Sequence, residues 1–201
     1  MGGPLYPSLY QINTRVWLTE LSRIFGRRAT LDDIPDIELD RIAAMGFDWV
    51  WFLSVWRTGT AGQRVSRENQ EWRREFAQTL PDLSEADIAG SGFAITGYTV
   101  HPALGGDAAL ARLRERLRAR GLRLMLDFVP NHTALDHPWV EDLPEYYVAG
   151  TELDLARERG TTRGSSGQRA TCCWLMAGTP TSRAGRIRCS STTATRPRGR
   201  R

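Results

Sequence analysis

From Leu9 to Leu18 the chain reads LYQINTRVWL, with apolar positions interrupted by Gln11, Asn13 and Thr14. This is the pattern of a short strand and its exit loop. Ile34, Ile37, Leu39, Ile42 and Ala43 then recur at helical spacing. Asp32 or Asp33 is placed to cap that helix, and Gly46 stands where a C′ glycine belongs. Asp48 leads into WVWFLSVW, Trp49 to Trp56, an unbroken apolar run that suits a strand covered on both faces.

Residues 57 to 95 form a long polar excursion, within which Asn69 to Leu80 has helical character and Leu83 to Ala89 suits a short turn. A second clean unit begins at Asp107. Ala109, Leu110, Leu113 and Leu117 make one helical stripe, Arg and Glu occupy the wet face, and Gly121 closes the helix. The run LRLMLDFVPNH, Leu122 to His132, follows at once: an apolar strand ending in Asp127, then a turn carrying Asn131 and His132. Strand, helix, strand, helix, strand is the order of consecutive βα units in a parallel α/β sheet. The connection after the second strand is too long for a minimal crossover. Long loops after strands are where barrel enzymes place their sites.

Spacing alone leaves the roles of the polar residues open. Asp127 serves equally well as the cap of the next turn, Asn131 as a turn residue, His132 as a structural histidine and Tyr98 as a rim aromatic. The segments GFDWVWFLSVW, ITGYTVHPALGG and LMLDFVPNH, in this order and at these separations, resemble the alpha-amylase family (glycoside hydrolase family thirteen) over roughly residues 8 to 158. The first signature of that family is Asp, three residues, Asn, His, and Asp127, Asn131 and His132 match it fully.

The resemblance implies a (β/α)8 TIM barrel, here incomplete, with about the first three βα units in residues 1–158. It implies that Tyr98 stacks under the sugar bound at subsite −1, that His132 donates to a hydroxyl of that sugar, and that Asp127 orients the catalytic groups from beneath. It marks Asn131 as a calcium ligand in many amylases, oxygen being the donor calcium prefers. Many family members lack calcium, and one candidate ligand does not make a site, so the resemblance implies it as a cofactor of the parent family only as an option. Trp56 and Arg57 are weaker candidates for lining the cleft. The implied substrate is an α-glucan or small α-glucoside, cleaved with retention through two carboxylates roughly 5 Å apart. In the family these carboxylates follow the fourth and fifth strands, with a stabilising Asp after the seventh. Asp127 is none of the three, so the chain is expected to be inactive by itself.

Composition changes the picture after about Glu158. Residues 1–158 carry 17 Arg against 23 acidic residues, a net −6, whereas residues 159–201 carry 10 Arg and no acid, a net +10. Lys is absent, and Cys172, Cys173 and Cys189 all lie in the second part with no CxxC-type zinc spacing. Read at face value, 159–201 is a low-complexity, disordered Arg/Gly/Ser/Thr tail, with nucleic-acid binding as its class alternative. Trp174 alone makes no stacking platform, so that reading ranks below the glycosidase one, as does a carbohydrate-binding remnant using Tyr98 and His132. A sharper account reverse-translates Trp174 to Thr195 and shifts the frame by one base. With third bases free to choose, permissible codons give AHGRDPYFAGWPDTLQLDYGN, which resembles the family's segment before its fourth strand. A single-base frameshift near residue 159 is the expectation. The first residues show no basic and apolar leader, and no apolar run approaches the roughly 18 residues of a membrane span. Cytoplasmic location is the resulting expectation. Three barrel strands cannot close, so an aggregation-prone product is expected too.

Overall fold

The computed structural model describes residues 5–85, 87–130, 132–150, 174–175 and 188–189. It divides into two units, Met1–Val129 and Pro130–Arg201, each taken by itself.

In the first unit, β1 (Leu9–Asn13) passes directly into α1 (Thr14–Phe25), where an exit loop was expected. The Asn13 side chain accepts the Val16 N–H, and Gly26 ends the helix in the left-handed region at φ 63°. Only Leu18 and Leu21 of the helix's apolar residues are fully buried, which is why its stripe is faint in the sequence. Asp32 and Asp33 do not cap the next helix. They lie in a separate 3-10 turn, Leu31–Asp33, and α2 (Asp36–Ala44) starts after Pro35. Proline excludes the helical conformation from the residue before it, and Ile34 is accordingly extended. Asp33 instead accepts from both the N–H and the hydroxyl of Thr30, at 2.7 and 2.9 Å. Gly46 has φ 83°, as a C′ glycine requires.

The apolar run Trp49 to Trp56 is two strands, not one. β2 (Trp49–Leu53) ends at Ser54, and β3 (Trp56–Thr58) turns away to pair antiparallel with β4 (Ile95–Val100). Between β3 and β4 lie α3 (Thr60–Glu68) and α4 (Gln70–Thr79). The Asn69 side chain caps α4 by accepting from Glu71 and Trp72 N–H, close to the helix bounds expected from sequence. α5 (Gly106–Arg118) then leads to β5 (Arg123–Leu126).

β1, β2 and β5 form one parallel sheet in that order, with Leu9 opposite Trp49 and Trp49 opposite Arg123. The fold is α/β, three parallel strands joined by helical crossovers. β2 alternates: Val50 and Phe52 are completely buried, while Trp49, Trp51 and Leu53 are half-buried. The expected burial of both faces is thus complete on one and partial on the other. Val50 and Phe52 join Leu39, Ile42, Leu113 and Leu117 in the core. Each such side chain stabilises the fold by about 1.5–3 kcal/mol relative to leaving it in water. The strand starts are clasped by Asp48, which accepts from the N–H and hydroxyl of Ser8 at 2.7 and 2.9 Å. Outside the core, Arg112 pairs with Asp32 at 2.6 Å, Arg116 with Asp36 at 3.0 Å, and Arg120 with Asp36 and Asp40 at 2.9 and 2.5 Å. Arg116 also donates to the Ile34 carbonyl.

In the second unit, α6 (Trp139–Asp142) precedes β6 (Tyr147–Gly150). β6 is flanked by β7 (Trp174–Leu175), antiparallel, and β8 (Arg188–Cys189), parallel. Apart from these four residues, the tail 159–201 and the reading of it as disordered lie outside the described residues. No helix among the described residues is long and apolar enough to cross a membrane.

Candidate functional site

Parallel sheets present their chemistry at the carboxyl ends of the strands, where side chains leave the pleat without helical cover. Asp127 stands immediately after β5 at such an end and is 7% exposed. Its two carboxylate oxygens are both engaged. One accepts the Trp51 indole N–H at 2.9 Å, and the other accepts the backbone N–H of Ser54 at 2.5 Å. Its carbonyl accepts the Trp56 indole N–H at 2.8 Å. A carboxylate can be buried only when its lone pairs are met in this way.

Ser54 is held in the left-handed region at φ 63°, the one non-glycine residue with positive φ among those described. Such a conformation costs about 1–3 kcal/mol and persists only where surrounding contacts fix it. Asp127 supplies one fixing contact. Gly92 supplies space, since a Cβ there would stand 2.1 Å from Ser54 Oγ.

Tyr98, on β4, is 46% exposed, and its hydroxyl accepts the Val129 N–H at 2.8 Å. Trp56 meets its ring edge-on with centroids 5.4 Å apart, and Phe128 stacks on it at 5.9 Å and 28°. Phe128 itself is 77% exposed. Tyr98 and Asp127 are therefore brought together, linked by Trp56 on one side and by the Asp127–Val129 backbone on the other. The result is an open aromatic surface beside a buried carboxylate with a donor on each oxygen. An aromatic face of this kind can take the apolar face of a sugar ring, while the donors on Asp127 hold its carboxylate in one orientation.

The other candidates fall differently. His132 is half-buried and belongs to the second unit, where Thr133 Oγ1 and the Tyr147 hydroxyl share a hydrogen bond of 2.9 Å. Asn131 lies outside the described residues. Among the described residues no group of three or more His, Cys, Asp or Glu side chains could hold a metal ion. Arg57 is exposed on β3, and Trp56 lies against Tyr98. Trp51, Ser54 and Phe128 were missed from sequence. Trp51 could have been found as a tryptophan on the same sheet as Asp127; nothing in the apolar run announces the backbone of Ser54.

Comparison with known proteins places these observations. The profile described as "Alpha amylase, catalytic domain" matches residues 31–156. An alpha-1,4-glucan:maltose-1-phosphate maltosyltransferase of Burkholderia pseudomallei (strain K96243) is 35% identical over 127 residues, 61% of this chain and 10% of that protein. An alpha-glucosidase of Apis mellifera is 38% identical over 130 residues, covering 58% of this chain and 18% of that protein. The solved structure of an alpha-amylase from Lactobacillus plantarum aligns over 72% of this chain and 27% of its own, with 22% identity and a TM-score of 0.48. The chain spans about a tenth to a fifth of the length of the curated relatives it matches.

Proposed function

Because the chain belongs to the alpha-amylase family, its residues 31–156 lying within that family's catalytic domain, we propose that it supplies the sugar-stacking side of a barrel that acts on α-glucosidic bonds. The observation that carries this reading is the Tyr98 surface: an exposed ring, fixed through its hydroxyl by the Val129 N–H and flanked by Trp56 and Phe128. Rigid aromatic rings contribute contact area at little cost in side-chain entropy. Relatives named for maltose-1-phosphate and for α-glucosides support a substrate of the same class.

Asp127 is a positioning residue in this reading. With one oxygen on Trp51 and the other on Ser54, it fixes the ends of β2 and β5 under the sugar. His132 donates to a sugar hydroxyl. Retaining hydrolysis requires a nucleophile and an acid/base roughly 5 Å apart, and Asp127, following the third strand of the sheet, stands at the place of neither in the family's pattern. The chain accordingly binds without cleaving, and the Arg-rich stretch after residue 159 is a shifted reading frame. Resequencing codons 155 to 200 tests the frame: an open alternative frame continuing the family's pattern is expected, and its absence refutes this part.

The sugar reading is tested by titrating the purified chain with maltoheptaose, following tryptophan fluorescence. Wild type should respond saturably, and Tyr98→Ala should lose the response with unchanged far-ultraviolet circular dichroism. A response that survives in Tyr98→Ala sinks the assignment of this surface.

A further inference from the structure

A second feature lies away from the Tyr98 surface. α1, residues 28–29, the loop through Asp87 and the 3-10 turn Pro102–Leu104 enclose an open groove of about 510 Å³. Its floor is apolar, with Leu18, Leu80 and Leu104, and its cations are Arg15, Arg23 and Arg28. Arg15 is half-buried and places Nη2 3.3 Å from Thr58 Oγ1, while its Nε is sealed from solvent without a hydrogen-bond partner among the described residues. Burial holds the Arg15 guanidinium below its ordinary range. Next to the groove, His101 uses Nδ1 to accept the Ala103 N–H at 3.1 Å. Burial pushes that imidazole down first, and the positive fields of Arg15, Arg28 and Arg57 push it further.

Positive charge is therefore in excess here, three arginines lining the groove against Glu20 and Asp87. Among the described residues, neither Arg15 nor Arg28 nor Arg57 has a carboxylate within ion-pair distance. Of the two acids, Asp87 is engaged by the N–H and hydroxyl of Ser84 at 2.9 and 2.6 Å and feels the positive field of Arg23. The groove thus keeps one cation in excess, with Arg15 and Arg28 outside ion-pair distance of either acid. A half-buried guanidinium with an unmet N–H is costly unless an anion completes it. Planar guanidinium forks match the oxygens of phosphate and carboxylate.

We propose that this groove is a binding site for the oxyanion group of a small molecule, held by Arg15 and Arg28 with the ligand's body on the Leu18–Leu104 floor. It is independent of the sugar reading and of the Tyr98 surface. Phosphoryl and carboxylate groups share the required chemistry, and two probes separate them.

The experiment titrates the full chain, labelled with 15N-arginine, with inorganic phosphate and separately with acetate at constant ionic strength, following the arginine Nε–H resonances. A saturable shift of Arg15 is expected, together with at least tenfold weaker binding in Arg28→Gln, whose exposed side chain can be changed without disturbing the core. Arg118→Gln, on the wet face of α5, should leave binding unchanged. Tighter binding of phosphate supports a phosphoryl ligand; equal or tighter binding of acetate supports a carboxylate. The proposal is overturned if no saturable shift occurs, or if Arg28→Gln binds as tightly as wild type, which would trace the signal to the Arg-rich stretch beyond residue 159.

Discussion

Asp127→Asn tests whether the carboxylate fixes this end of the sheet. In the native side chain one oxygen receives the Trp51 indole N–H and the other the Ser54 N–H. Asparagine brings one oxygen and one NH2, so whichever way the amide turns, a buried donor faces another donor. Losing a hydrogen bond to a charged group costs about 1.5–3 kcal/mol, and stranding a buried donor about 1–3 kcal/mol. These describe overlapping parts of one event, so the net expectation is about 2–4 kcal/mol, large against the roughly 5–15 kcal/mol of a whole domain. Release of Ser54 from its positive φ returns part of the stored strain and keeps the figure from climbing higher. The assay is urea unfolding followed by tryptophan fluorescence, with the indole N–H resonances of Trp51 and Trp56 and the Ser54 amide resonance recorded in parallel. The Trp51 indole or the Ser54 amide resonance should move most, whichever comes to face the new NH2, whereas Trp56 bonds the unaltered carbonyl. A variant within about 0.5 kcal/mol of wild type, with the Trp51 and Ser54 resonances both unmoved, would refute the reasoning.

Other outcomes follow from the same geometry. Gly92→Ala sets a methyl 2.1 Å from Ser54 Oγ and should cost about 1–3 kcal/mol by overpacking, seen as a lowered urea midpoint. Arg116→Ala removes the partner of both Asp36 and the Ile34 carbonyl and should destabilise more than Arg112→Ala, whose ion pair is 58% and 40% exposed on its two sides. A larger loss from Arg112→Ala would contradict this. Asp33, bonded by Arg27 and then by the Thr30 N–H, is held down at about 2. Because its folded pKa is depressed, its contribution is present above the unfolded value near 4 and vanishes as pH falls through about 2. A carboxyl 13C titration should place Asp33 there, and Asp33→Asn should flatten the stability slope in that acid window.

How far the sequence carried depended on whether a signal was local. The stripe Ala109, Leu113 and Leu117 gave α5, the segment Asn69 to Leu80 gave α4, and Gly46 marked a real helix end, since each depends on neighbours a few residues apart. α1 escaped notice because Leu18 and Leu21 are its only fully buried large residues, with Val16, Ile24 and Phe25 left exposed. The break at Ser54 is invisible for a different reason. Its backbone is imposed by Asp127 and Gly92, 73 residues and 38 residues away, and an apolar run carries no mark of such partners. The β3–β4 pair likewise joins Trp56 to Val100 through an irregular register that no periodicity encodes. At the site, Tyr98 and Asp127 were found through resemblance; their mutual link through Trp56 needed coordinates.

The arginine–aspartate rungs between α5 and the segment Leu31–Ala44 repeat every four residues on both sides: 112, 116 and 120 against 32, 36 and 40. A ladder with identical rungs has a translational ambiguity. Sliding one helix along the other by a single turn would set Arg112 against Asp36 and Arg116 against Asp40, sacrificing one rung and keeping the rest. Charge can therefore hold these helices alongside each other and parallel without saying where each should stop. The stop is given by features that do not repeat: the bond from Arg116 to the Ile34 carbonyl, available only where Pro35 interrupts the backbone ladder, and the burial of Leu113 and Leu117 in the one core that also holds Val50 and Phe52. The rungs behave as a rail, and the proline-marked carbonyl as the pin that locks a carriage at one station along it.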